Sequence, residues 1–220
     1  MQLAYTPAQQ EFRADIRAWL GVHAPKQPLV TLECREGFDQ HVAWERTLAS
    51  GNWGKVTWPE AYGGRGLDLG ALMCAAQLVG LADAMLGQAA EYAKVRNQFG
   101  QPIGGFQAIK HQLASCAVAI EFAKPVVWRA AAALDNGIDS ASVHVSHAKV
   151  AATDAAILTA ETAIQVHGAM GYTYEVDLHF WMKRSWALAG AWGSRAFHLM
   201  RVDRAVLGGG LAIGPEHTFA

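Results

Sequence analysis

The chain has 220 residues, with 18 Lys+Arg against 19 Asp+Glu for a net charge of −1, and it is 52% hydrophobic but only 17% charged. The balanced charge excludes a basic nucleic-acid binder and an acidic tail, and the hydrophobic share excludes a disordered chain. One large domain or two small ones fit this length. A charge content below the ~25% of an average domain further predicts that a partner or cofactor covers part of the surface.

Helical signals run from end to end. Thr6-Pro7-Ala8-Gln9 is a helix start, with threonine to cap and proline at the first helical position. Phe12, Ile16, Trp19 and Leu20 then form one apolar stripe, and Pro25 and Pro28 end it. A shorter helix is predicted from Asp39 to Ala49, followed by a glycine- and aromatic-rich loop up to Gly66. Four longer helices follow. The first runs from about Ala71 to Lys94, and Phe99 to Gly105 breaks it. The second starts near Phe106, carries Ile109, Leu113, Ile120, Val127 and Leu134 at helical spacing, should kink at Pro125 and stops at Asn136-Gly137. The third, from about Ser140 to Val166, is apolar nearly all round, so it should be buried on several sides. Gly168-Ala169-Met170-Gly171 stops it, and the fourth runs from about Glu175 to Val206. No stretch alternates with the period of a strand, so the expected class is all-α. The expected division is a helical segment over 1–70, a four-helix up-down bundle over 71–207 and a tail over 208–220.

The apolar run Ala71 to Ala76 stops at Gln77, far short of the ~20 residues of a membrane span. The first residues lack a basic region followed by an apolar one, so no signal peptide is expected. Cys34, Cys74 and Cys116 fit no disulfide framework and no metal pattern, and a reducing, cytoplasmic setting is the expectation. His144 and His147 are three apart on a helix, but nothing supplies a third ligand, so no metal is predicted. No Ser-His-Asp arrangement and no dinucleotide fingerprint after a strand is present.

Three segments carry chemistry. They are Trp53 with Trp58-Pro59-Glu60-Ala61-Tyr62-Gly63-Gly64-Arg65-Gly66; Arg96-Asn97-Gln98-Phe99-Gly100-Gln101-Pro102-Ile103 with Phe106-Gln107; and Lys149 with Gln165-Val166-His167-Gly168-Ala169-Met170-Gly171-Tyr172 and Glu175. In this order and spacing they resemble the acyl-CoA dehydrogenase family of flavoproteins, over nearly the whole chain. The resemblance implies a bundle of that family's type, FAD as cofactor and an acyl-CoA thioester as substrate. It also implies a homo- or hetero-oligomer, because in the family these segments reach across a dimer interface to a neighbour's flavin. The residues carried over as cofactor-binding are Arg96, Gln98, Phe99, Gln165, Gly168 and Ala169, the last where the family usually has a second glycine. The chemistry suits them. An arginine makes charged, bidentate contacts to a pyrophosphate, and glycine lets backbone N–H groups approach it closely.

Two departures stand out. Leu67-Asp68-Leu69-Gly70 joins the glycine loop directly to the first bundle helix, where the family carries a whole β-domain that packs on the flavin ring. The catalytic carboxylate is also missing. The family base that removes a Cα proton falls at Trp192 in one alignment and at Gly70 in the other, and an indole N–H only donates. Two readings follow: a flavoprotein that dehydrogenates acyl-CoA, or a non-catalytic partner or truncated pseudoenzyme.

Overall fold

The computed structural model describes residues 7–31, 34–54, 68–211 and 214, in two compact units split at 67/68. Thr6, the expected cap, and the loop expected to close the first unit, 55–66, lie outside the described residues.

The first unit contains α1 (Pro7–His23) and α2 (Arg35–Ser50). The predicted stripe gathers on Trp53, which is 8% exposed, with the Phe12 and Trp19 rings 5.6 and 6.1 Å away. Helix α2 starts four residues before Asp39 because Cys34 caps it. The Cys34 thiol accepts the Gly37 N–H at 3.3 Å, and cysteine is not among the residues that usually signal an N-cap.

The second unit is the bundle: α3 (Leu69–Val95), α4 (Gln107–Asp135), α5 (Ala141–His167) and, in the fourth position, α6 (Leu178–Gly190) with α7 (Arg195–Leu207). The all-round apolarity of α5 makes it the central helix, packed on α3, α4, α6 and α7. Only His147, Asp154, Leu158, Glu161 and Gln165 of α5 are exposed, and their spacing of three, four and seven places them on one line. Alanines dominate the contact surfaces. Ala71, Ala75, Ala82, Ala130, Ala148, Ala152 and Ala156 are fully buried, and such small side chains let helix axes approach closely. Met85, Ile164, Leu178 and Met182 fill a second core layer.

Three local readings change. The expected fourth helix is interrupted at 191–194, where Trp192 (φ 58°) and Gly193 (φ 101°) leave the helical region and Ser194 caps α7 through Phe197 N–H at 3.3 Å. A two-residue antiparallel ladder, β1 (Asn97–Gln98) against β2 (Gln101–Pro102), closes around Phe99-Gly100, too short to show alternation. Helix α3 is long and apolar enough to cross a membrane by length and composition alone. Its buried face, from Ala71 and Leu72 to Ala89 and Ala93, instead forms the bundle core.

Candidate functional site

The C-terminus of α3 and the end of α5 meet at a pocket of about 310 Å³, lined by Tyr92, Arg96, Gln98 and Ile103 on one side and Gln165 to Met170 on the other. Five expected residues, Arg96, Gln98, Gln165, Gly168 and Ala169, thus share one cavity although two separate segments supply them. Helix ends position them. Arg96 closes α3, with its N–H donating to the Tyr92 carbonyl at 2.9 Å and its carbonyl accepting Ile103 N–H at 2.8 Å. The guanidinium is exposed and has no acidic partner among the described residues. Gly168 follows α5 at φ 59°, a left-handed conformation that favours glycine, and a side chain there would meet open space. The opening beside it is therefore not crowded by protein atoms.

Phe99 does not line this pocket. Its φ of 51°, next to Gly100 at 83°, makes the tip of a tight hairpin. The ring is thrown outward, 94% exposed, and touches Phe106 edge-on at 6.2 Å. Two wall residues, His167 and Tyr92, were not among the residues expected to bind the cofactor. His167 stacks on Tyr92 with ring centroids 4.3 Å apart, and its Nδ1–H donates to the Ala163 carbonyl at 2.8 Å. Tyr92 lies four residues before Arg96, on the same helix face, and that spacing was the available clue.

A second polar cluster lies where α3 begins and α6 ends. Lys149 of α5 is fully buried and donates to the carbonyls of Leu188 (2.9 Å), Ala189 (3.0 Å) and Gly193 (3.5 Å). These are carbonyls left over by the end of α6. Burial pushes the Lys149 ammonium below its ordinary value and the nearby Cys74 thiol above its own, the latter against the pull of Lys149. His198 of α7, also fully buried, donates Nε2–H to the Trp192 carbonyl at 2.8 Å and places Nδ1 3.2 Å from Ser146 Oγ. Desolvation pushes its imidazole down to about 4, so it is neutral near pH 7. Arg201 pairs with the buried Asp68 carboxylate at 2.7 and 3.3 Å, tying α7 to the start of α3.

Trp192 and Gly70, the two positions at which a family base is expected, meet here. The indole lies against Gly70, and a Cβ built on that glycine would overlap Cδ2, Cε3 and Cε2 of the ring. Neither position carries a carboxylate. Among the described residues no group of three or more His, Cys, Asp or Glu is arranged to hold a metal.

The described residues from 68 on define a helical-bundle class with one pocket where the ends of α3 and α5 meet. The C-terminal domain description of the acyl-CoA dehydrogenases matches residues 62–207, and the N-terminal domain description matches residues 6–106. The two matches overlap, so no residues lie between them for a middle domain. The chain belongs to the acyl-CoA dehydrogenase family. It is 40% identical over 148 residues to acyl-CoA dehydrogenase FadE34 of Mycobacterium tuberculosis, covering 67% of this chain and 21% of that protein. The structure of a glutaryl-coenzyme A dehydrogenase with glutaryl-CoA superposes with a TM-score of 0.61 at 36% identity, over 63% of this chain and 35% of that one. A ChsE4–ChsE5 complex from M. tuberculosis superposes at 0.61 and 28% identity, over 64% and 38% of the two chains. The chain therefore spans about a fifth to two fifths of the length of these relatives.

Proposed function

We propose that this chain is a flavin-holding subunit of an acyl-CoA dehydrogenase assembly whose class reaction is α,β-dehydrogenation of an acyl-CoA thioester. The observation that carries this reading is the convergence of Arg96 and Gln98 with Gln165, Gly168 and Ala169 on one pocket. Arg96 supplies permanent positive charge to the FAD pyrophosphate, Gln98 and Gln165 offer carboxamides, and Gly168 leaves room for the dinucleotide to approach. The pocket volume of about 310 Å³ is at the lower end of ligand sites, ~300–1,000 Å³, as suits one side of a shared dinucleotide site. When bound, FAD supplies the hydride acceptor. Phe99 stands outside the pocket with its face open to a ring.

The general base comes from another chain, because neither family base position here can abstract a proton. The working division is a helical segment over 1–70, the bundle over 71–207 and a tail over 208–220. A second copy or a larger family member completes the flavin site, and the two-protein ChsE4–ChsE5 relative supports the latter. Free Cys34, Cys74 and Cys116 suit a reducing cytoplasmic location.

Dye-coupled oxidation of a panel of acyl-CoA thioesters by the purified chain with added FAD tests this. A positioned base contributes about 10²–10⁴-fold, so the expected result is turnover at or near background. Trp192→Glu alone should not rescue it, because the flavin ring still lacks its β-domain platform. Turnover near the enzyme median of ~10 s⁻¹ from the unmodified chain would contradict the proposal.

A further inference from the structure

We infer that Trp192 is a built-in stopper: its indole, seated on Gly70, fills the space a side chain at position 70 would enter, so that a carboxylate cannot be introduced at position 70 while the indole is in place. This rests on the proposed family reading for what a carboxylate would do there, and on the geometry for the rest.

The seat and the stopper are each held. Gly70 lies in the first turn of α3, whose preceding Asp68 is pinned to α7 by Arg201 at 2.7 Å. Trp192 hangs from a turn that leaves helical geometry at φ 58° and 101°. Lys149 grips that turn from α5 through the Leu188, Ala189 and Gly193 carbonyls, and His198 grips it from α7 through the Trp192 carbonyl. A Cβ on Gly193 would come within 2.7 Å of His198 Nε2 and Phe197 Cδ1, so the turn also needs glycine at 193. A non-glycine residue in the left-handed region is uncommon, and a tryptophan there is held by its surroundings rather than by its own preference. The ring is 38% exposed, so it covers Gly70 from the surface rather than lying in the core. Only a residue without a side chain fits beneath it.

The same contact gives the stopper a sign-changing signature. Replacing a helical glycine by alanine ordinarily stabilises a helix. With the indole in place, Gly70→Ala must instead displace a clamped ring.

The test is a double-mutant cycle read by thermal unfolding of the full chain. Gly70→Ala should lower Tm in the unmodified background and leave it unchanged or raise it in Trp192→Gly. Gly70→Glu should be poorly tolerated alone and accepted in Trp192→Gly. If Trp192→Gly does not fold, Trp192→Asn takes its place, since asparagine tolerates this backbone region. A Gly70→Ala shift of the same sign and size in both backgrounds would overturn the inference. The cycle reads stability alone, so that failure would leave the flavin reading standing, and loss of the flavin reading would leave the cycle unchanged.

Discussion

His198 is a buried imidazole whose charged form the fold does not accommodate. Its folded value of about 4 lies below the unfolded 6.5, so between these values the unfolded chain binds more protons. Stability is therefore intact above pH 6.5 and is lost as pH falls toward 4, by about 3 kcal/mol at most. Thermal unfolding of the wild type should lose Tm across this window, and His198→Gln should flatten the slope. An equally steep slope in the variant would remove His198 as its cause. The convergence of Arg96, Gln98, Gln165, Gly168 and Ala169 on one pocket was legible at this scale, because arginine, carboxamides and glycine stand at motif spacing. Phe99 was not placed, since a left-handed hairpin tip sends the ring outward and no periodicity reports that. The Trp192–Gly70 contact was also hidden, because it joins two helix ends far apart in the chain.

Helix periodicity located α3, α4 and α5 to within a few residues, because their apolar faces are long and continuous. It missed the break between α6 and α7, where the apolar spacing runs on through Ala191 and Trp192 and only Gly193-Ser194 hints at a stop. What decides the break is tertiary: Lys149 takes up the carbonyls that the end of α6 leaves unpaired. Lys149→Met keeps the length of the stem and removes the donor. Hydrogen bonds to a charged group contribute ~1.5–3 kcal/mol, and a chain of this size shifts ~2–4 °C per kcal/mol. The variant should lose roughly 3–12 °C in Tm. An unchanged Tm would show that the turn holds itself.

Among the described residues several large aromatic side chains are exposed. Phe122 is 74% exposed, Trp128 67%, Tyr174 87% and Trp186 51%. Single exposed aromatics are ordinary on a protein surface, so the expectation of an assembly rests on the low charge content of 17%. Light scattering at micromolar concentration should show a species larger than 23.7 kDa, and a stable soluble monomer would refute an obligate assembly. Within such an assembly the account stands on one charge. FAD retained by the purified protein, in whichever assembly binds it, should be compared between the wild type and Arg96→Ala. Loss of a charge-assisted contact of ~1.5–3 kcal/mol predicts retention weakened about tenfold or more; flavin held equally well by the variant would contradict the assignment of the cradle.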